Sequence, residues 1–141
     1  RIKLTEKRFN NLVPIEPAIH RLAFYAVTKD VSKPLTKVSA LNGLRIGSIR
    51  GMMAAELIFE NQNVRYENSA AQTARLLTNG SVDVLILSLP DIKKLIEDNL
   101  LNEKFVQPTP LYQLELYHFI HRKHQDKVAE LSQIFRKLAI N

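Results

Sequence analysis

Apolar positions along the chain fall into short two-sided runs separated by helical stretches. LAFYAVTK at 22–29 is apolar on both alternating faces and rich in β-branched and aromatic residues, which predicts a strand covered on both sides. LRIGSI at 44–49 predicts a second strand, and Gly51 separates it from MMAAELIFEN, whose Ala, Met, Leu and Glu favour helix. VRYE at 64–67 reads as a strand. Ser69 and Gln72 form a capping box opening the helix AAQTARLLT, which stops at Asn79-Gly80. VDVLILSL at 82–89 is nearly continuous and predicts the central parallel strand. Pro90 then suits the first turn of DIKKLIEDN, and KFVQ at 104–107 predicts a further strand.

From residue 44 onward the order is strand, helix, strand, helix, strand, helix, strand. Such alternation predicts an α/β fold, an open, mostly parallel sheet with helices on both faces. Beyond Pro108 and Pro110, LELYHFIH at 114–121 repeats the two-sided character of 22–29, so these two strands are expected side by side at the two ends of the α/β unit. A last helix, QDKVAELSQIFRKLA, carries Val128, Leu131, Phe135 and Leu138 along one stripe. Residues 1–21, with Pro14 and Pro17, read as a lead-in, 22–124 as the α/β lobe and 125–141 as a terminal helix seeking a partner.

Composition narrows the function classes. At 141 residues the chain is long enough for one domain with a real core. No cysteine is present, which excludes disulfides, thiolate catalysis and zinc-thiolate sites. The 20 Lys and Arg outnumber 14 Asp and Glu, but the densest groups, RIKLTEKR and HRKHQDK, are broken by acids and apolar residues. They read as solvated faces rather than a phosphate-tracking groove, so no nucleic acid is expected. No apolar run approaches the roughly 20 residues of a membrane span, so no membrane insertion is expected.

The stretch LRIGSIRGMMAAEL carries the main candidate chemistry. A helix opening just after the strand aims unpaired N–H groups at the turn, where a carboxylate or phosphate fits, with Arg50 beside it for a charge-assisted bond. Gly47 and Gly51 are both read as turn residues there. The spacing matches neither a dinucleotide fingerprint nor a P-loop, and no cofactor is expected. His118, His121 and His124 are three residues apart, but in a strand the first two point to opposite faces, which argues against a metal site. No G-x-S-x-G elbow occurs, and no serine has an evident base, so no enzyme activity is expected. Asp83 stands at the start of the central strand, the wrong end for a site in a parallel sheet, and reads as a structural cap. Ser88 stands at the carboxyl end, so Ser88 and the turn after residue 47 are expected to share one crevice.

The ordered set LAFYAVTKD, LNGLRIGSIRGMMAAE, LLTNGSVDVLILSLPD and LYHFIHRKHQDKVAELSQIFRKL resembles the extracellular solute-binding proteins of family 3, the periplasmic amino-acid-binding type with the type 2 periplasmic-binding fold. The resemblance implies the second lobe of a two-lobed receptor, closed on its ligand by two hinge-like strands, with the first lobe preceding Arg1 and receiving the terminal helix. It implies a small polar or amino-acid-like solute in the inter-lobe cleft, contacted by Ser48, Arg50, Gly51, Met52, Met53 and Ser88. Met52 and Met53 replace the hydroxyl residues of the family's turn, and Ser88 replaces its amine-binding aspartate. A solute larger or less zwitterionic than a standard α-amino acid follows. The implied partners are an ABC permease or a sensor, in the periplasm, and a lobe without its mate is expected to form a homodimer or domain swap. The alternative is the effector-sensing domain of a bacterial transcription regulator, which shares the fold class.

Overall fold

A computed structural model describes residues 9–51, 56 and 58–140, the side chains of 139 and 140 apart. Among them are five strands, β1 (Leu12–Val27), β2 (Ile46–Ile49), β3 (Val64–Glu67), β4 (Val84–Ser88) and β5 (Tyr112–His121). Three helices join them, α1 (Ala70–Thr78), α2 (Leu89–Glu97) and α3 (Val128–Ile140). The strands form one open sheet in the order β3-β2-β4-β1-β5, so the VLILS run occupies the centre, as its two-sided apolarity predicts. β3, β2 and β4 are parallel, and β1 runs antiparallel to β4. β5 lies beside β1 and runs against it: Leu111 N donates to Phe24 O, and Arg122 N to Asn11 O. The α/β class and the adjacency of the two end strands are thus as expected.

By contact the chain divides into two compact units, one of residues up to Leu22 with those from Leu114 onward, the other Ala23–Gln113. In the Ala23–Gln113 unit, period-two alternation sends Val27, Leu85 and Leu87 to one face, where Ala74, Leu76 and Leu77 of α1 and Ile92 and Leu95 of α2 pack on them. Phe24, Ala26, Ile46, Ser48, Val84, Ile86 and Ser88 alternate to the other face. There Phe24 stacks on Tyr112 (4.7 Å between centroids, 10° between planes), and Phe59 meets Tyr112 edge-on at 5.8 Å. Phe59 directly follows the helical residues Glu56 and Ile58, so helical chain serves both faces.

Helix ends follow the local chemistry. Ser69 caps α1, its hydroxyl accepting from Gln72 N at 3.2 Å, and Gly80 takes φ +78° after the last turn, as an αL stop requires. Pro90 sits in the first turn of α2, where its missing N–H is harmless.

Three details differ from the sequence reading. β1 starts at Leu12, ten residues before the expected run, and contains Pro14 and Pro17. β1 pairs with β4 from Phe24 to Val27, so before Phe24 a proline can turn its missing N–H to the unladdered side. KFVQ forms a 3-10 turn over Glu103–Phe105 and one bridge, Val106 to Val27, instead of a strand. Asn102 accepts from Lys104 N and curls the chain, while Pro108 removes the next donor. Gly47 is not a turn residue. It lies within β2 under α1, where an added Cβ would stand 2.9 Å from Leu85 Cδ2 and 3.3 Å from Leu76 Cδ1.

In the other unit, His118 of β5 stacks on Phe135 of α3 at 4.8 Å, and His121 Nδ1 accepts from Lys123 N at the following 3-10 turn. Among the described residues no group of three His, Cys, Asp or Glu is placed to hold a metal ion. No helix among them is long and apolar enough to cross a membrane.

Candidate functional site

Parallel pairing of β2 and β4, with Gly47 opposite Leu85, brings the carboxyl ends of the two strands to the same edge of the sheet. Ser48 Oγ crosses between them and donates to Ile86 O at 2.9 Å. Two residues further along each strand come Arg50 and Ser88. The candidate residues Ser48, Arg50, Gly51 and Ser88 therefore gather on one edge of the Ala23–Gln113 unit, while Met52 and Met53 lie outside the described residues.

Their side chains have different surroundings. Ser48 and Ser88 are buried, at 1% and 4% exposure, because both occupy core-facing positions of the pleat. Ser88 is the N-cap of α2: its hydroxyl accepts from Asp91 N at 3.4 Å and donates to Asp91 Oδ2 at 2.8 Å. Both hydroxyls are thus engaged inside the fold and hold the edge in shape. Arg50 and Gly51 face solvent. Arg50 N donates to Glu67 O at 2.7 Å, and its guanidinium reaches Tyr66 O only at 3.4 Å, leaving most of its five donors to a ligand. Gly51 holds φ +92°, a left-handed turn that a residue with a Cβ adopts only under strain.

Behind this edge stands an aromatic shelf that the sequence reading missed. Tyr66 pairs with Ser48 in register and shares its face. Burial, and secondarily the charge of Glu56, raise the Tyr66 phenol above its ordinary value. Tyr112 is pushed up further, by burial first and Tyr66 second, and its hydroxyl, shut off from solvent, has no hydrogen-bond partner among the described residues. Asp91 is half-buried and bonded to Ser88. The S-x-x-D spacing of residues 88–91 signals that contact, as S-x-x-Q does at Ser69.

The opposite edge, where β2 and β4 begin, is built differently. Asp83 accepts from Arg45 N (2.8 Å), Nη2 (2.9 Å) and Nε (3.3 Å), while Arg45 O takes the N–H groups of Asp83 and Val84. Asp83 is the structural clamp expected of that position. The Arg45 hydrogen bonds hold its carboxyl below the usual range, so its stabilisation is complete above the unfolded value of about 3.9 and is lost as pH falls through the lower folded value. Wild type and Asp83→Asn are expected to differ in urea midpoint near neutrality, the variant being weaker, and to converge once pH falls below the lowered folded value. Curves that stay parallel down to that pH would show that the charge on Asp83 is irrelevant. The guanidinium of Arg45 contributes first and its backbone N–H second, and because both side chains are partly exposed, solvent screening keeps the effect small.

No protein-family model matches the sequence, and no curated protein does. Solved structures do match in fold. Holo ArgBP from T. maritima superposes with a TM-score of 0.62 at 14% identity, over 95% of this chain and 59% of that one. The GluR0 ligand-binding core in complex with L-glutamate gives 0.67 at 13%, over 97% and 62%. A histidine kinase sensor domain with similarity to periplasmic binding proteins gives 0.62 at 18%, over 95% and 61%. The chain spans about 60% of the length of these structures, and the fold is that of a type 2 periplasmic-binding-protein lobe.

Proposed function

We propose that this chain is the substrate-binding lobe of a periplasmic solute receptor of family 3, serving an ABC permease or a sensor. It takes a small polar or amino-acid-like solute at the edge formed by Arg50, Gly51 and Ser88, against a second lobe, and performs no chemistry on it. The observation that carries this reading is the convergence of the carboxyl ends of β2 and β4 on one edge, where the exposed Arg50 guanidinium makes one long bond to Tyr66 O. Open α/β sheets bind ligands at that edge.

Arg50 and the turn amides take the carboxylate of the solute. Ser88 replaces the family's amine-binding aspartate, and Asp91, three residues on and hydrogen-bonded to Ser88, supplies the negative charge in its stead. Ser48 and Ser88 set the geometry rather than gripping the solute directly. The terminal helix, with Ile134 and Leu138 exposed at 45% and 65%, packs on the second lobe or on a partner chain. Fold neighbours have been solved with arginine and with L-glutamate bound, which makes charged L-amino acids the first solutes to try.

Calorimetric titration of the full-length receptor with L-amino acids tests the reading. Arg50→Ala is expected to weaken the bound solute at least about tenfold, or about 1.4 kcal/mol, as loss of a charge-assisted contact does. Unchanged affinity would remove Arg50 from the site. The 141 residues alone are expected to bind weakly, since the second lobe supplies the other contacts, and nanomolar affinity from them would overturn the two-lobe reading.

A further inference from the structure

A cavity lies at the other end of the sheet from Arg50 and Ser88, where β2 and β4 begin. It encloses about 400 Å³, within the range of small-molecule sites, and every residue lining it belongs to the Ala23–Gln113 unit. Leu35, Leu44, Leu77 and Val82 give it an apolar floor, and Lys29, Asp30, Lys33, Arg45 and Asp83 form a charged rim.

The rim is not balanced. Both carboxylates are already supplied with donors from the chain, Asp83 by the Arg45 clamp and Asp30 by the backbone N–H and hydroxyl of Ser32. The lysines are not used up. An ammonium has three donors, and Lys29 spends one, at 3.3 Å, on Thr78 O in the last turn of α1. The charge of Lys33 reaches the Asp30 carboxyl, while the Lys33 backbone carbonyl is pinned by Gln107 Nε2 at 3.0 Å, which fixes where its side chain leaves the chain. Three cations and two satisfied carboxylates leave one net positive charge and a surplus of donors over an oily floor.

We propose that this cavity is a second binding site, for an amphiphilic organic monoanion whose carboxylate meets Lys29 and Lys33 and whose aliphatic or aromatic body lies on Leu35, Leu44, Leu77 and Val82. An inorganic anion leaves the floor unused, and a neutral apolar molecule leaves the ammonium donors unused. Both halves of the cavity are satisfied only by a molecule having both parts. Such a ligand couples Thr28–Lys33 to the start of β2 and to the α1–β4 turn, three segments distant in sequence.

Octanoate titrated into the 15N-labelled chain, with octanol and inorganic phosphate in parallel, tests the site. Octanoate is expected to shift the amides of Lys29–Lys33, Leu44–Arg45 and Gly80–Asp83 and to saturate by about 1 mM. Octanol and phosphate are expected to bind at least about tenfold more weakly, and added salt to weaken octanoate. Lys33 is exposed, so its variants fold: Lys33→Glu should lower octanoate affinity at least about tenfold, and Lys33→Arg should leave it within about twofold. Equal binding of octanol, an unaffected Lys33→Glu, no shift up to about 10 mM, or shifts confined to Arg50, Gly51 and Ser88 would each overturn the proposal. None of these outcomes bears on solute binding at the other edge except the last, which would support that edge alone.

Discussion

Truncating Phe24 to alanine is expected to lower the unfolding free energy by about 3–5 kcal/mol, the range for deleting a fully buried aromatic ring. Phe24 is 1% exposed, lies on the central face of the sheet and stacks on Tyr112 at 4.7 Å. Tyr112 also meets Phe59, so the ring ties β1 to β5 and to the segment after β2. The chain cannot collapse readily into the void, because Phe24 is held on both sides, by register with Ser88 and by the Leu111 N–H to its carbonyl. Urea unfolding should show a lower midpoint with an unchanged slope, and thermal unfolding a drop on the order of 10–20 °C. A cost under about 1 kcal/mol would mean that the aromatic shelf is loosely packed and cannot support the Ser88 edge beside it.

Local chemistry made the middle of the chain legible. α1 is bounded by a cap and an αL stop that act within one turn, so Ser69 and Gly80 mark it without help from tertiary contacts. β4 is buried on both faces, and only a central strand needs VLILS with no polar alternate until Ser88. The start of β1 was not legible, because Pro14 and Pro17 are tolerated only for a reason in the sheet, the lack of a β4 partner before Phe24. KFVQ has strand propensity, but Asn102 and Pro108 act on its backbone and win.

The candidate edge was legible in position more than in function. Sequence order and the parallel-sheet rule locate Arg50 and Ser88 at the carboxyl ends of their strands, which the pairing of β2 with β4 bears out. Which way the serines face follows from pleat parity, once Ile46 and Ile86 are assigned to the core: Ser48 and Ser88 must then turn inward, and buried hydroxyls take internal partners. Polarity also divides the sheet. α2 opens at the Ser88 edge, with Asp91 in its first turn, whereas α1 closes at the opposite edge, where Lys29 caps its carbonyl end. Two chemically distinct surfaces follow from one connectivity.

Gly47→Ala is expected to cost about 1–3 kcal/mol by overpacking. The new Cβ would lie 2.9 Å from Leu85 Cδ2, 3.3 Å from Leu76 Cδ1 of α1 and 3.4 Å from Val82 Cγ2, all on buried residues. These are side-chain methyls in a close-packed layer, so relief requires α1 or Leu85 to move. Leu85→Ala alone should cost about 2–5 kcal/mol through the cavity it leaves. In the double variant the alanine at 47 occupies part of that cavity, so the combined cost should fall short of the sum by about 0.5–3 kcal/mol. Gly51→Ala provides the contrast. No atom of the described residues lies within 4 Å of its added Cβ, and its φ of +92° sets a cost of about 1–2 kcal/mol that trimming those neighbours does not relieve. Strict additivity of Gly47→Ala with Leu85→Ala would mean that the strand tolerates the methyl group and that α1 is not seated directly on β2. The turn at Gly51 would then lack the fixed floor that holds Arg50 at the edge.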